Sequence, residues 1–345
     1  MENTIGTFWW DHMPTASRIL REAQDTLCSG RSVVLRSPGP LPWESLLVER
    51  LTAPLGERLG VQKLKELDVS DDTLSPGARL LETFAEEDQK DEYWPSEPEE
   101  RYMAQHPEIS LSRAIVIVRG IRGKACEAWL KTVTGYLAAA GERHGIFALL
   151  MEDAQARDIR KDMGRYLDLG RDLSEQDTLM VCQAVLTEKD IRGAMAQYIT
   201  ELAASLAGYA PEPAAALASE GTALAHDPLG TAAAILGKDT ARQREAVWRA
   251  QIRTVYPILE EQRQRYLQKY SHRFPKDLSI PNGYGGYITE PKELEIVHIW
   301  FLCQSRGLAD KADIDQLARM RKARNDLSHL DPIPWKSLEA LGLFR

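Results

Sequence analysis

Near the C-terminal end, the run Arg319-Met320-Arg321-Lys322-Ala323-Arg324-Asn325-Asp326-Leu327-Ser328-His329 concentrates the chain's polar chemistry. Four basic residues fall within six positions, an Arg-Asn pair follows, and a histidine stands five residues after Arg324. Pro332 and Pro334 then stop the helix. The pattern puts Leu317, Met320, Ala323, Leu327 and Leu330 on one apolar face, with Arg324 projecting inside that arc. An arginine at a buried edge needs a partner, which marks either a site or a structural ion pair. Asn325 and His329, four apart, share another face. Arg324 and His329 are roughly 140° apart at ~3.6 residues per turn, so one rigid helix does not bring them together. Arg and His also suit the last turn of any helix, where the macrodipole favours cations.

Further basic residues come earlier. Thr240 to Tyr270 reads as one long helix, kinked at Pro257. Residues 239–274 carry eight basic against four acidic side chains, with Trp248, Tyr256, Tyr266 and Tyr270 interleaved. Such a helix suits a phosphate backbone, or else a solvated face with acidic neighbours. Arg263, Arg265 and Lys269, with Arg319, Arg321 and Lys322, are the candidate nucleic-acid contacts.

The stretch Arg324-Asn325-x-x-x-His329 resembles the R-x4-6-H motif of HEPN domains, helical modules of RNA-cleaving toxins and phage-defence effectors. The resemblance covers roughly the last hundred residues. It implies metal-independent RNA cleavage, with His329 in proton transfer at the ribose 2′-OH and leaving oxygen, Arg324 stabilising charge on the phosphate, and Asn325 positioning groups. It also implies a homodimer, since HEPN ribonucleases pool two motifs in one cleft. RNA and other proteins of a defence complex are then the expected partners. The alternative is a subunit without catalysis, whose domains are protein- or nucleic-acid-binding surfaces in a larger complex.

The elements that carry these residues follow from patterning. A chain of 345 residues with 43% hydrophobic and 27% charged residues can form two domains with real cores. The net charge of −8 argues against a uniformly basic nucleic-acid binder but leaves room for a local basic face. Cys28, Cys126, Cys182 and Cys303 are scattered, without metal-ligand spacing, so neither a metal nor a cofactor is expected. Phe8-Trp9-Trp10 does not read as a signal peptide, and no apolar run reaches the ~20 residues that span a bilayer. The expectation is a cytoplasmic protein away from membranes.

The N-terminal half alternates helices with apolar runs: Ser32–Arg36, Lys63–Val69, Ala114–Val118, Gly145–Leu150 and Thr178–Cys182. Helices are expected over Thr15–Leu27, Trp43–Leu55 and Lys124–Ala140. Continuous apolar strands between amphipathic helices predict a parallel sheet of about five strands, covered on both faces. This layout, followed by an Ala-rich helical region, resembles an AAA+-type P-loop ATPase with its helical lid. The phosphate chemistry departs from that family. Ser37-Pro38-Gly39-Pro40-Leu41-Pro42-Trp43 replaces the phosphate loop, three prolines remove donors, no lysine is present, and the third strand ends in Arg119-Gly120. The resemblance therefore implies a degenerate P-loop-like scaffold; an unrelated doubly wound domain is the other reading.

The acidic residues 86–100 read as a solvated loop around Tyr93-Trp94-Pro95. Thr187-Glu188-Lys189-Asp190 resembles a capping box that opens a helix to Leu206. Asp227 caps another, ahead of Pro228 and Gly237. Pro281–Tyr287 reads as a flexible glycine-rich connector, and His298 as a satisfied core histidine. The expected domains are 1–186, α/β and P-loop-like; 187–238, a helical lid or connector; and 239–345, an all-α HEPN-like bundle.

Overall fold

The computed structural model describes residues 2–55, 63–153, 164–281 and 285–344. Asn282, Gly283 and Tyr284 of the glycine-rich connector lie outside them. The chain divides into two compact units, Met1–Asp177 and Thr178–Arg345. The second takes in residues 187–238, read above as a connector.

The first unit is an α/β layer structure. Strands β1 (Val33–Ser37), β2 (Lys63–Asp68), β3 (Ala114–Arg122), β4 (Ile146–Glu152) and β5 (Arg165–Asp168) form one parallel sheet in the order β2-β3-β4-β1-β5. The central strands form because both of their faces are covered. Val33–Leu35, Ile115–Val118 and Phe147–Met151 are all buried, which is why they read as unbroken apolar runs. The edge strands read differently. β2 exposes Lys63, Leu64, Lys65 and Glu66, with Leu67 buried, and its lysines discourage pairing with a further strand. Helices α1 (Pro14–Cys28), α2 (Glu44–Thr52), α3 (Pro76–Phe84) and α4 (Lys124–Ala139) complete the layers.

Three expectations are corrected here. Thr178–Cys182 is not the fifth strand but part of helix α5 (Glu175–Glu188). The cause is local. Ser174 donates from its backbone N and from Oγ to Asp177 Oδ2 at 2.8 and 2.7 Å, a Ser-x-x-Asp helix start that outweighs a short apolar run. The fifth strand is instead Arg165-Tyr166-Leu167-Asp168, an edge segment too short and polar to announce itself. Thr187 belongs to the end of α5, where its Oγ donates to Gln183 O at 2.8 Å. Asp190 takes a left-handed φ of 56°, and the next helix, α6, starts only at Gly193 and runs to Leu206. The acidic segment is not a bare loop: it folds into helices Glu87–Glu92 and Glu99–Gln105, buries Tyr102 and Met103, and leaves Trp94 75% exposed.

The second unit is helical. Helices α7 (Pro211–Ala218), α8 (Pro228–Leu236), α9 (Thr240–Tyr270), α10 (Ile296–Ser305), α11 (Lys311–Ser328) and α12 (Trp335–Leu341) follow α6. A two-stranded antiparallel pair, Ile280–Pro281 with Tyr287–Ile288, is the only sheet among its described residues. Asp227, Asp239 and Asp310 cap α8, α9 and α11 by accepting from backbone N–H groups of Gly230, Arg242 and Asp313. Gln251 on α9 is buried and joins the chain ahead of α12. It accepts from Ile333 N at 2.7 Å, donates to Ile333 O at 2.9 Å, and reaches Tyr198 OH at 3.2 Å.

Gly120 is required at its position. It has φ +77°, and a Cβ there would stand 2.2 Å from Ser70 Oγ and 2.8 Å from Ser70 N. Gly120→Ala is expected to lower stability by about 2–3 kcal/mol, read from the shift in urea midpoint. A midpoint equal to wild type would contradict the close approach of Gly120 to Ser70.

Candidate functional site

α11 is amphipathic as its spacing requires. Leu317, Met320, Ala323 and Leu327 are buried, and Trp248 Nε1 on α9 donates to Leu327 O at 2.8 Å. Leu330 departs from the expected face. It lies past the helix end with φ 61° and is 67% exposed, because a left-handed residue closes the helix one turn early.

α10 and α11 pair as antiparallel neighbours, and two contacts set their register. Arg324 Nη2 lies 2.7 Å from a carboxylate oxygen of Glu295, the residue that caps α10. One turn earlier on α11, the Arg321 guanidinium sits 4.0 Å from the Trp300 ring centroid. The arginine at the buried edge has therefore found a structural partner 29 positions away in sequence.

The ring in Arg324's neighbourhood is His298, not His329. His298 Nδ1 accepts from Glu295 N at 3.2 Å, so the neutral ring carries its proton on Nε2. Burial lowers the His298 pKa; the Glu295 carboxylate opposes this and the Arg324 charge adds to it. Glu260 lies in the same field. Its carboxyl is held low mainly by Arg263, with Arg324 contributing.

His329 ends α11 as an exposed cap residue, and its backbone N–H donates to the carbonyls of Asn325 and Asp326 at 3.1 Å. Asn325 is exposed as well. Arg324 and His329 leave α11 in divergent directions within one chain, as helical spacing requires. The stripe that does include His329 is Arg321, Asn325 and His329, spaced by four.

The six nucleic-acid candidates separate into two groups. Arg319, exposed, donates from Nε to Gln316 Oε1 at 3.1 Å, and Lys322, 70% exposed, stands 3.7 Å from Asp326. With Arg321 they belong to α11. On α9, Arg263 is only 13% exposed; it pairs with Glu260 and donates to Leu294 O at 2.7 Å, tying α9 to the start of α10. Arg265 is 75% exposed and 3.9 Å from Glu261. Lys269 reaches Asp313 at the start of α11. α10 exposes Val297 and Phe301, the latter 58%, one turn apart on one face. Periodicity marks α10 as apolar but does not say which of its apolar residues lack a cover.

In the first unit, the carboxyl ends of the strands are where doubly wound sheets place ligands. There Arg119 lies 2.7 Å from Glu66, 3.0 Å from Asp68 and 3.9 Å from Glu44, while Arg122 is 2.9 Å from Glu152. Burial raises the Glu44 carboxyl pKa, with Arg119 opposing. Arg36, 7% exposed, pairs with Asp168 at 2.8 Å. The edge is thus a lattice of arginines and carboxylates. Among the described residues no three His, Cys, Asp or Glu side chains group to hold a metal ion, and no helix is long and apolar enough to cross a membrane.

No protein-family model matches the chain, and no curated protein is significantly similar to it.

The His298 geometry sets a pH dependence. Its folded pKa lies below the unfolded one, near 6.5, so the unfolded chain takes up the proton first. The stability supplied by the neutral ring is full above about pH 6.5 and is lost as pH falls through the folded value. His298→Gln removes this titration. Its Tm should fall less than that of wild type between pH 7.5 and 5.5; parallel declines would show that His298 is not coupled to folding.

Proposed function

We propose that the chain is an RNA-binding subunit of a larger prokaryotic defence complex, with a HEPN-like helical unit that contacts RNA and a P-loop-like unit that serves as scaffold. One observation carries this reading: Arg324 is held by Glu295 and Arg321 lies over Trp300, both against α10, while Asn325 and His329 are left exposed on α11. The motif arginine is thereby spent on the α10–α11 hairpin. Of the α11 cations, Arg319 and Lys322 remain exposed and stand on either side of Arg321 in sequence, whose guanidinium lies over the Trp300 ring. Positive charge interleaved with aromatic rings suits single-stranded nucleic acid, where phosphates meet cations and bases stack on rings. The arginine–carboxylate lattice of the first unit supports a scaffold role, since its cations are already balanced by its own acids. The place in a defence complex rests on the HEPN resemblance alone.

A second reading keeps the nuclease. Asn325 and His329 are exposed and so accessible to a second copy, which would supply the opposing half of a cleft in a homodimer.

The two readings part in one experiment. The full chain is incubated with end-labelled single-stranded RNA and resolved on native and denaturing gels. The subunit reading expects a shifted complex containing intact RNA, with Arg319→Glu/Lys322→Glu weakening binding about tenfold and reducing the salt slope by about two. RNA cut by wild type and left whole by His329→Ala would establish the dimeric nuclease instead, and no binding at all would defeat both.

A further inference from the structure

A cavity of about 320 Å³ lies between α9 and α11, lined by Gln262, Arg265, Tyr266, Lys269, Asp313 and Gln316. It sits within the second unit and uses neither Arg324 nor His329. Its volume is at the lower end of small-ligand pockets, suited to a single base with its sugar.

Most of the polar lining is already engaged. Gln316, across the cavity, is occupied at both ends: Nε2 donates to Leu341 O at 3.0 Å and Oε1 accepts from Arg319. Asp313 is likewise taken. Its carboxylate accepts from Lys269, from Tyr270 and, at 3.3 Å, from Tyr266. Burial pushes that carboxyl up, but the Lys269 and Tyr270 hydrogen bonds outweigh it and hold the pKa below the ordinary aspartate value. Asp313 therefore stays ionised and balances Lys269, and Arg265, 75% exposed and 3.9 Å from Glu261, is the second cation of the lining. Lys269 has three N–H donors, and its bonds to Asp313 and Tyr270 leave one over. Tyr266 forms an aromatic wall, nearly parallel to Tyr270 at 11° with centroids 6.3 Å apart.

We propose that this cavity binds one nucleotide: the phosphate on Arg265 and Lys269, and the base against Tyr266. The chemistry is that of a nucleoside 5′-monophosphate, whether a nucleotide of an RNA strand or a free one. The strand source rests on the RNA-binding reading; the pocket itself does not.

Calorimetric titration of the full chain with AMP, UMP and ribose 5-phosphate tests it. Both nucleotides should bind, and ribose 5-phosphate, which lacks the base, about tenfold more weakly. Arg265→Glu, at an exposed position, should weaken all three ligands about tenfold. Tyr266→Leu should weaken the nucleotides and leave ribose 5-phosphate unchanged, a split that simple misfolding does not produce. Displacement of short single-stranded RNA by AMP assigns the pocket to the strand; AMP binding without displacement assigns it to a free nucleotide. If the nucleotides bind no better than ribose 5-phosphate, or if Arg265→Glu leaves AMP affinity intact, the pocket assignment is overturned even where RNA still binds elsewhere. RNA that fails to bind beside AMP that does would remove the RNA reading and keep the pocket.

Discussion

The ion pair between Arg324 and Glu295 fixes what the second unit can do. With side chains 30% and 45% exposed, it contributes about 1 kcal/mol or less in isolation. Its geometric consequence is larger. Glu295 caps α10 and Arg324 lies at the buried edge of α11, so the pair helps set the register of two helices whose inward faces are fixed by their apolar residues. Arg321 then falls over Trp300, His298 is drawn into the charged seam, and Asn325 and His329 are left outside. Helical spacing separates the two residues that a HEPN-like catalyst would combine, and the ion pair holds Arg324 on the α10 side, which supports a binding role for the face that remains.

The two units handle charge in different ways. At the carboxyl ends of the parallel strands, Arg36, Arg119 and Arg122 each meet carboxylates of the same unit. Their interactions are internal, and the field they present outward is correspondingly weak. In the helical unit, Arg263 is absorbed in the same manner, whereas Arg265, Arg319 and Lys322 remain exposed. An acidic chain therefore carries a restricted cationic face, and its net charge of −8 says little about what that face can hold.

What the sequence made legible was local. Val33–Leu35, Ile115–Val118 and Phe147–Leu150 announced buried strands because both sheet faces are covered, and the Asp227 cap of α8 marked a helix start by chemistry confined to four residues. β5 was missed because an edge strand of four residues carries no apolar run, and Thr178–Cys182 was mistaken for it because such a run has no period of its own. Ser174 and Asp177 held the correcting signal. The partner of Arg324 was not legible. Nothing in local spacing selects Glu295 over the other carboxylates, since that choice is made when α10 packs on α11. The same holds for the cavity, whose residues come from two stretches some fifty positions apart.

The most direct test of the account is the salt dependence of RNA affinity, measured by fluorescence anisotropy on the intact chain with labelled single-stranded RNA recovered at the end. The account expects log K to fall linearly with log salt, with a slope set by the few exposed cations of α9 and α11, and expects the RNA to be recovered at full length. A salt-independent affinity, or RNA recovered in fragments, would contradict it.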